Sequence, residues 1–263
     1  MSAALKVLKA QLRNVARSRS VLGYGLILLV ATELLIRFGG SGERALLSLL
    51  NVVLLLLPLM SVVFGTLYIY NSREVIELLL AQPISRGALY TGLFGGLFLP
   101  LAGAFLLGAG LPLLFHAGAE PAAAGHAIML LAVGLALTLV YTAFALCVAV
   151  LIEDRTRGFG AALLVWLLTT LVYDGLILLV STSFADYPLE TPLLVLTFLN
   201  PVDLARVLLL LSFDIAALMG YTGAVYEQVF SKTLGSAAAF LMLGVCAAVP
   251  LFLGLHWFRR KDF

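Results

Sequence analysis

Hydrophobic residues along this chain fall into long blocks that short polar segments separate. Six blocks are long enough to cross a bilayer, because about 20 residues of helix span its hydrocarbon core. The six predicted spans cover about residues 21–38, 45–70, 88–115, 126–152, 159–181 and 236–258. The pattern therefore predicts an all-α membrane protein that forms a single transmembrane domain over residues 1–263.

The segment before the first block, residues 1–19, carries five basic side chains and no acidic one. Its leucines and valine, at positions 5, 8, 12 and 15, recur at spacings of three and four. That spacing places them on one face of a helix. We interpret the segment as an amphipathic helix lying on an anionic membrane surface. A disordered basic tail, the alternative, accounts less well for the periodicity.

A second polar segment, residues 71–87 (NSREVIELLLAQPISRG), is the longest interruption between the early blocks. Glu74 and Glu77 fall at helical spacing on one face. Arg73 lies four residues before Glu77, where an ion pair is possible. The pattern predicts a short helix along the membrane surface whose acidic face suits docking of a soluble partner. An ordinary interfacial loop is the alternative.

Pro83 ends this predicted helix, because proline has no backbone N–H and disfavours helical geometry in the residue before it. Arg86 follows three residues later, which gives the segment a Pro-x-x-Arg exit into the third span.

The region between the fifth and last spans, residues 182–235, has its hydrophobicity broken by three prolines and several charges. Residues 193–199 are apolar but too short to cross a bilayer. We predict one or two short re-entrant or surface helices in this region.

Composition and charge fix the class and the orientation. The chain is 62% hydrophobic and 11% charged, with a mean hydropathy of +1.11, which is typical of an integral membrane protein. The net charge of +2 does not indicate nucleic-acid binding, because the cations cluster at membrane edges. Twelve of the 16 lysines and arginines lie before the first span, in residues 71–87 and 153–158, or after the last span. The positive-inside rule places these segments and both termini in the cytoplasm.

The chain carries none of the common catalytic motifs. Lys232 is the only lysine followed by Ser or Thr, and no GxxxxGK[ST] phosphate-binding loop surrounds it. His116 and His126 flank one predicted outer loop, where surface histidines are a better interpretation than a metal site. The sequence therefore predicts a non-catalytic protein with no cofactor or metal of its own.

Two carboxylates lie within predicted spans, where an isolated charge is expensive. Glu33 lies four residues before Arg37, so a local ion pair accounts for it. Asp174 has no such neighbour, and it requires another helix, a water-filled cavity or a proton. We hypothesise that Asp174 faces the bundle interior and helps to hold the spans in a switchable arrangement.

The stretch EVIELLLAQPISRGALYTG (74–92) resembles the segment between the second and third spans of ABC-2-type transporter permeases. One departure is that Val75 and Ile76 replace the Gly-Thr pair common in that family. Three further stretches are most similar to the permease subunit of the nitrous-oxide reductase maturation system: WLLTTLVYDGLILLV (166–180), LNPVDLARVLLL (199–210) and the FRRKDF ending.

The resemblance implies a homodimer in the bacterial inner membrane, two copies of a separate ATPase subunit that holds ATP and magnesium, and a periplasmic partner in copper-site assembly. It also implies that residues 71–87 form the coupling helix that meets the ATPase. The candidate contacts there are Arg73, Glu74, Glu77, Pro83 and Arg86. The candidates for an outer gate or partner contact are Asn200, Pro201, Asp203 and Arg206.

Two other functions stay open. The first is an ABC-2 exporter that moves a lipid, peptide or drug through a dimer interface. The second is an ATP-independent carrier or channel, a class that often shows inverted repeats. No convincing repeat relates residues 20–115 to residues 126–258.

Overall fold

The computed structural model describes residues 12, 18–39, 42–81, 84–117, 121–184, 190–213 and 233–260. The predicted fold class is confirmed, since these residues form helices joined by short turns and contain no strand. Six helices are long and apolar enough to cross a membrane: Arg19–Phe38, Leu47–Asn71, Arg86–His116, Ala123–Leu151, Arg155–Ser183 and Gly235–Arg260. Of the predicted surface helix over residues 1–19, only Leu12, Ser18 and Arg19 lie within the described residues.

The helices are numbered here in chain order. They are α1 (Arg19–Phe38), α2 (Gly42–Asn71), α3 (Arg73–Leu80), α4 (Arg86–Phe105), α5 (Leu111–Ala117), α6 (Pro121–Leu151), α7 (Arg155–Leu167), α8 (Tyr173–Ser183), α9 (Glu190–Leu199), α10 (Pro201–Ser212) and α11 (Thr233–Arg260). A π-helical turn, Leu106–Gly110, joins α4 to α5, and a second, Leu168–Val172, joins α7 to α8. Each of these pairs therefore forms one continuous span, the third and the fifth.

The fourth span, α6, forms the centre of the bundle, where it packs against α2, α4, α7, α10 and α11. Seventy-two per cent of its most apolar stretch is buried, against 6% for the fifth span. Other helices of the same chain therefore cover most of the surface of α6. Most of the fifth span is left for lipid or another protein.

Close helix approach around α6 depends on glycine. A Cβ atom added to Gly65 of α2 would lie 2.5 Å from the Cβ of Ala145, and one added to Gly134 would overlap the Phe105 ring. Small residues let helix backbones approach closely in membranes, where dispersion replaces the hydrophobic effect as the main attraction.

The pair α9–α10 is bent by 110° between Leu199 and Pro201. Asn200 caps α10 by accepting a hydrogen bond from the Val202 N–H at 3.2 Å, and Pro201 opens the helix at a position that needs no N–H donor. Most of α10 is buried against α2, α6 and α11. This burial favours the re-entrant alternative of the prediction over a surface helix.

A matched pair of glycine substitutions tests the packing around α6. Gly244 of α11 has no atom within 4 Å of an added Cβ, so Gly244→Ala should stabilise its helix by about 0.5–1 kcal/mol. Gly134→Ala forces Phe105 to move and should destabilise the protein by about 1–3 kcal/mol. Thermal unfolding of both variants in one detergent measures the difference. Equal midpoints would show that α6 is not closely packed at Gly134.

Candidate functional site

A polar network joins the fifth span to α10. Both terminal nitrogens of Arg206 donate to the carboxylate of Asp174, at 2.6 and 2.7 Å. Arg206 Nη1 also donates to Asp203 Oδ1 at 3.0 Å. Arginine and carboxylate planes that meet through two parallel hydrogen bonds form one of the stronger ion-pair geometries. A pair of this kind fixes both the distance and the relative orientation of α8 and α10.

The network continues through Asn200 into the π-helical turn. Asn200 Nδ2 donates to Asp203 Oδ2 at 2.7 Å and to the carbonyl oxygen of Thr169 at 2.7 Å. The Tyr173 N–H bonds to Leu168 instead of to Thr169, its partner in a regular α-helix. The π-helical turn thereby changes the local bonding where α10 docks. Asn200 supplies a donor to the Thr169 carbonyl from a different helix.

The inner end of the network lies on α6. The Thr169 hydroxyl donates to the Val165 carbonyl at 2.8 Å, so its oxygen accepts the hydroxyl proton of Tyr141 at 2.6 Å. Tyr141 is fully buried. The network thus connects the central helix, the fifth span and α10.

The sequence places these groups by simple periodicity. Asn200, Asp203 and Arg206 are three residues apart and so lie along one side of the first turns of α10. Asp203 has 5% of its side chain exposed, whereas Arg206 and Asp174 have 33% and 36%. Because a charge at this depth is expensive unless it is paired, Arg206 stabilises the ionised form of Asp174, to which it donates two hydrogen bonds. Pro201 contributes the helix start and no polar contact.

The sequence left three ways to stabilise Asp174: a partner on another helix, a water-filled cavity or a proton. In the structure the partner is Arg206, which lies on α10. The pairing joins two sets of predicted residues that sequence reasoning treated separately, Asp174 in the fifth span and Arg206 in the outer segment. The signal that could have joined them was that Asp174 is an isolated carboxylate in an apolar run, while Arg206 is a basic residue in a second apolar run. Tyr141 and Thr169 were missed, since hydroxyl groups within spans give no comparable signal.

The second candidate region lies around α3, at what we term the α3 end of the bundle: residues 71–87, 152–157 and 259–260. Arg73 Nη1 donates to the Glu153 carbonyl at 2.7 Å, and its guanidinium lies 5.6 Å from the centre of the Tyr70 ring. The Tyr70 hydroxyl donates to the Ile152 carbonyl at 2.8 Å. The Arg73 contact ties α3 to the turn before the fifth span, and Ile76 is buried in a cluster with residues of α2, α4, α6 and α11.

The outer face of α3 combines acidic and apolar side chains. Glu74 and Glu77 are exposed, and beside them Val75 and Leu78 have 49% and 69% of their surface exposed. Arg73 is directed to the backbone of Glu153 and not to Glu77, which leaves the possible Arg73–Glu77 pair unmade. The sequence pattern predicted the acidic face of this helix, but it did not predict that Val75 and Leu78 would be exposed beside it.

Arg86, another predicted contact residue of this segment, lies at the start of α4 and not on α3. Arg86 Nη1 donates to the Arg259 carbonyl at 2.9 Å, so it ties the start of α4 to the end of α11. The Ser85 side chain accepts a hydrogen bond from the Ala88 N–H at 3.4 Å and caps α4. Pro83 lies outside the described residues.

At the opposite end, the expected pair of Glu33 with Arg37 is present at 3.4 Å. His116 Nε2 also lies 3.6 Å from the same carboxylate oxygen, and the His126 ring packs edge-on against Phe213. The two histidines therefore have separate partners. Within the described part of the chain, no three His, Cys, Asp or Glu side chains are grouped as metal ligands would be.

Comparison with known proteins identifies the family. A family model described as ABC-2 family transporter protein matches residues 41–263. The chain belongs to the ABC-2 family of transporter permeases. This permease is 30% identical over 222 residues to the probable ABC transporter permease protein NosY of Pseudomonas aeruginosa, a match that covers 81% of this chain and 79% of that protein. It is also 30% identical over 236 residues to the probable ABC transporter permease protein NosY of Stutzerimonas stutzeri, with the same coverage.

A double-mutant cycle tests the interhelical ion pair of the permease. Asp174→Asn and Arg206→Gln should each destabilise the protein, because each leaves a half-buried charge without its main partner. The coupling free energy between the two changes should be about 1–3 kcal/mol by thermal or denaturant unfolding. The matched control is Glu33→Gln with Arg37→Gln, whose pair is more exposed and spaced i,i+4, so its coupling should be about 0.3–0.5 kcal/mol. Additive effects at Asp174 and Arg206 would show that the pair contributes nothing to holding α8 and α10 together.

Proposed function

We propose that this permease couples ATP hydrolysis by separate ATPase subunits to motion of its membrane helices, working as a homodimer with two ATPase copies. The observation that carries the proposal is the geometry of α3. Arg73 anchors this helix to the turn before the fifth span, to which Tyr70 of α2 is also bonded, while the outer face of α3 stays open. A short surface helix held in this way can receive force from a soluble partner and pass it into the membrane.

The chemistry of the open face supports a protein partner. Leu78 and Val75 provide apolar area that gains from being covered, and Glu74 and Glu77 provide charges that select a basic partner surface. We assign the α3 end to the cytoplasm of a bacterial inner membrane, with both termini on that side, because twelve of the 16 lysines and arginines lie in residues 71–87 and 153–158, before the first span or after the last. ATP and magnesium belong to the partner in this proposal.

The path of motion that we propose runs along the fifth span. A push on α3 reaches the turn before α7 through the bond from Arg73 to the carbonyl group of Glu153. Further along the same span, Asp174 and Thr169 are bonded to Arg206 and Asn200, so α10 follows. Asn200 and Asp203 are buried, which favours a role in gating over direct contact with a periplasmic partner.

The resemblance to the nitrous-oxide reductase maturation system suggests where that motion goes. We propose that the outer segment, residues 182–235, passes it to a periplasmic protein that serves copper-site assembly. Support for this step is the similarity to the two NosY permeases and the location of α9–α10 at the far end of the path.

Export of a lipid, peptide or drug is the second candidate function, and one observation favours it. An open apolar cavity of about 660 Å³ lies between α1 and the third span, lined by residues such as Leu22, Gly25, Leu99 and Leu107. A cavity of that size and character would accept an apolar chain. Affinity purification in mild detergent separates the two functions, since a maturation complex should retain a periplasmic protein along with the ATPase.

Charge reversal on α3 tests the coupling role. Glu77→Lys should abolish stimulation of the partner's ATPase activity, with membrane insertion unchanged, because the exposed side chain supports no fold contact. Arg155→Glu is the matched control, since it reverses an exposed charge at the same end but outside α3. The measurement is ATP hydrolysis by the reconstituted complex together with recovery of the ATPase on the tagged permease. Wild-type stimulation in Glu77→Lys would refute the role of this face.

A further inference from the structure

The polar network between the fifth span and α10 contains two carboxyl groups and one guanidinium. Its charged members are Asp174, Asp203 and Arg206. Arg206 donates to both oxygens of Asp174, at 2.6 and 2.7 Å, but to only one oxygen of Asp203, at 3.0 Å. The guanidinium is therefore the main partner of Asp174, and the second carboxyl group has no cation of its own within the network.

The two carboxyl groups are neighbours. Oδ1 of Asp174 and Oδ1 of Asp203 both accept from one nitrogen, Nη1 of Arg206. Their side chains are also close enough to hydrogen-bond to each other. Two adjacent carboxylates repel, so such a pair gains free energy by keeping one proton, which the protonated group donates to the ionised one.

The surroundings of Asp203 add no second positive charge in the described part of the chain. Apart from Arg206, the polar and titratable groups around Asp203 and its partners are acidic or neutral: Asp174, Asn200, Tyr141, Tyr173 and Cys246. The described residues of α2 and α9, which pack against α10, add no titratable side chain to this group. The excess negative charge is therefore not offset by another side chain on these helices.

Burial decides which carboxyl group carries the proton. The Asp203 side chain is 5% exposed, against 36% for Asp174. Two features favour an ionised Asp203, namely the hydrogen bond from Asn200 at 2.7 Å and its position in the first turn of α10. A bond from a neutral amide and a helix dipole each offset only a small part of the cost of removing a carboxylate from water. The proton therefore belongs on Asp203.

We propose that the network binds one proton at neutral pH, held by Asp203 and shared with Asp174, and that this proton keeps α10 docked on the fifth span. When the proton leaves to water, both carboxylates are charged and repel across the contact between α8 and α10. Asp174, the more exposed of the two, gives Asp203 a route for proton exchange. The inference concerns the permease alone and does not depend on coupling to an ATPase.

Infrared spectroscopy of the full-length purified permease in lipid vesicles tests the proton directly. A protonated carboxyl group has a C=O stretching band that a carboxylate lacks. Because an ordinary aspartate is ionised at about pH 7, the wild type should show the band of about one carboxyl group per chain at that pH. Asp203→Asn should lose this band. The matched control is Glu33→Gln, which removes a carboxylate that has its own partner in Arg37 and should leave the band unchanged.

Two further substitutions should change the band in opposite directions. Asp174→Asn leaves Arg206 to Asp203 alone, so the proton should be released and the band should disappear. Arg206→Gln removes the cation, so the second carboxyl group should also take up a proton and the band should about double. Loss of the fold alone could not remove the band in one variant and enlarge it in the other.

The pH dependence of thermal unfolding gives a second measurement. The native permease would bind one proton more than the unfolded chain, so the wild-type midpoint should fall as the pH is raised above the ordinary range of aspartate. That fall should be smaller in Asp203→Asn, which cannot release the proton. A band that persists in Asp203→Asn or Asp174→Asn would overturn the proposal, as would a band that does not grow in Arg206→Gln. Loss of the band in Glu33→Gln would place the proton at another carboxyl group and also overturn it.

Discussion

The ion pair between Asp174 and Arg206 is the interaction on which the position of α10 in the bundle depends. In hydrocarbon a lone carboxylate or guanidinium is far more expensive than in water, so each residue requires the other. The pair thereby fixes where α10 docks, and its hydrogen bonds through Asn200 reach the π-helical turn of the fifth span. Because the partners lie on different helices, the penalty for separating them becomes a constraint on helix position.

The bundle divides into a packed centre and a less enclosed periphery. The fourth span is surrounded by protein, and glycines such as Gly65 and Gly134 allow close approach that larger residues would prevent. The fifth span has little protein around it, yet it carries contacts to α3 at one end and to α10 further along. A helix with few packing contacts and two strong polar attachments can move with them as one element.

The sequence predicted the six spans and the short helix after the second span, because the hydropathy of a segment and the helix-ending effect of proline depend only on neighbouring residues. It also recognised Asp174 as a charge that required a partner. It did not find Arg206 as that partner, since pairing between helices depends on a bend of 110° that brings α10 back into the bundle. The role of Thr169 was equally hidden, because a π-helical turn in an apolar stretch changes backbone bonding without changing the hydrophobic pattern.

The anchoring of the α3 end explains how a helix of eight residues could transmit force. Before α3, Tyr70 is bonded to the turn that starts the fifth span, and Arg73 at the first residue of α3 is bonded to the same turn. After it, Arg86 bonds the start of the third span to the end of the sixth. A helix fixed at one end alone would swing when pushed, whereas attachments on both sides direct displacement into three spans.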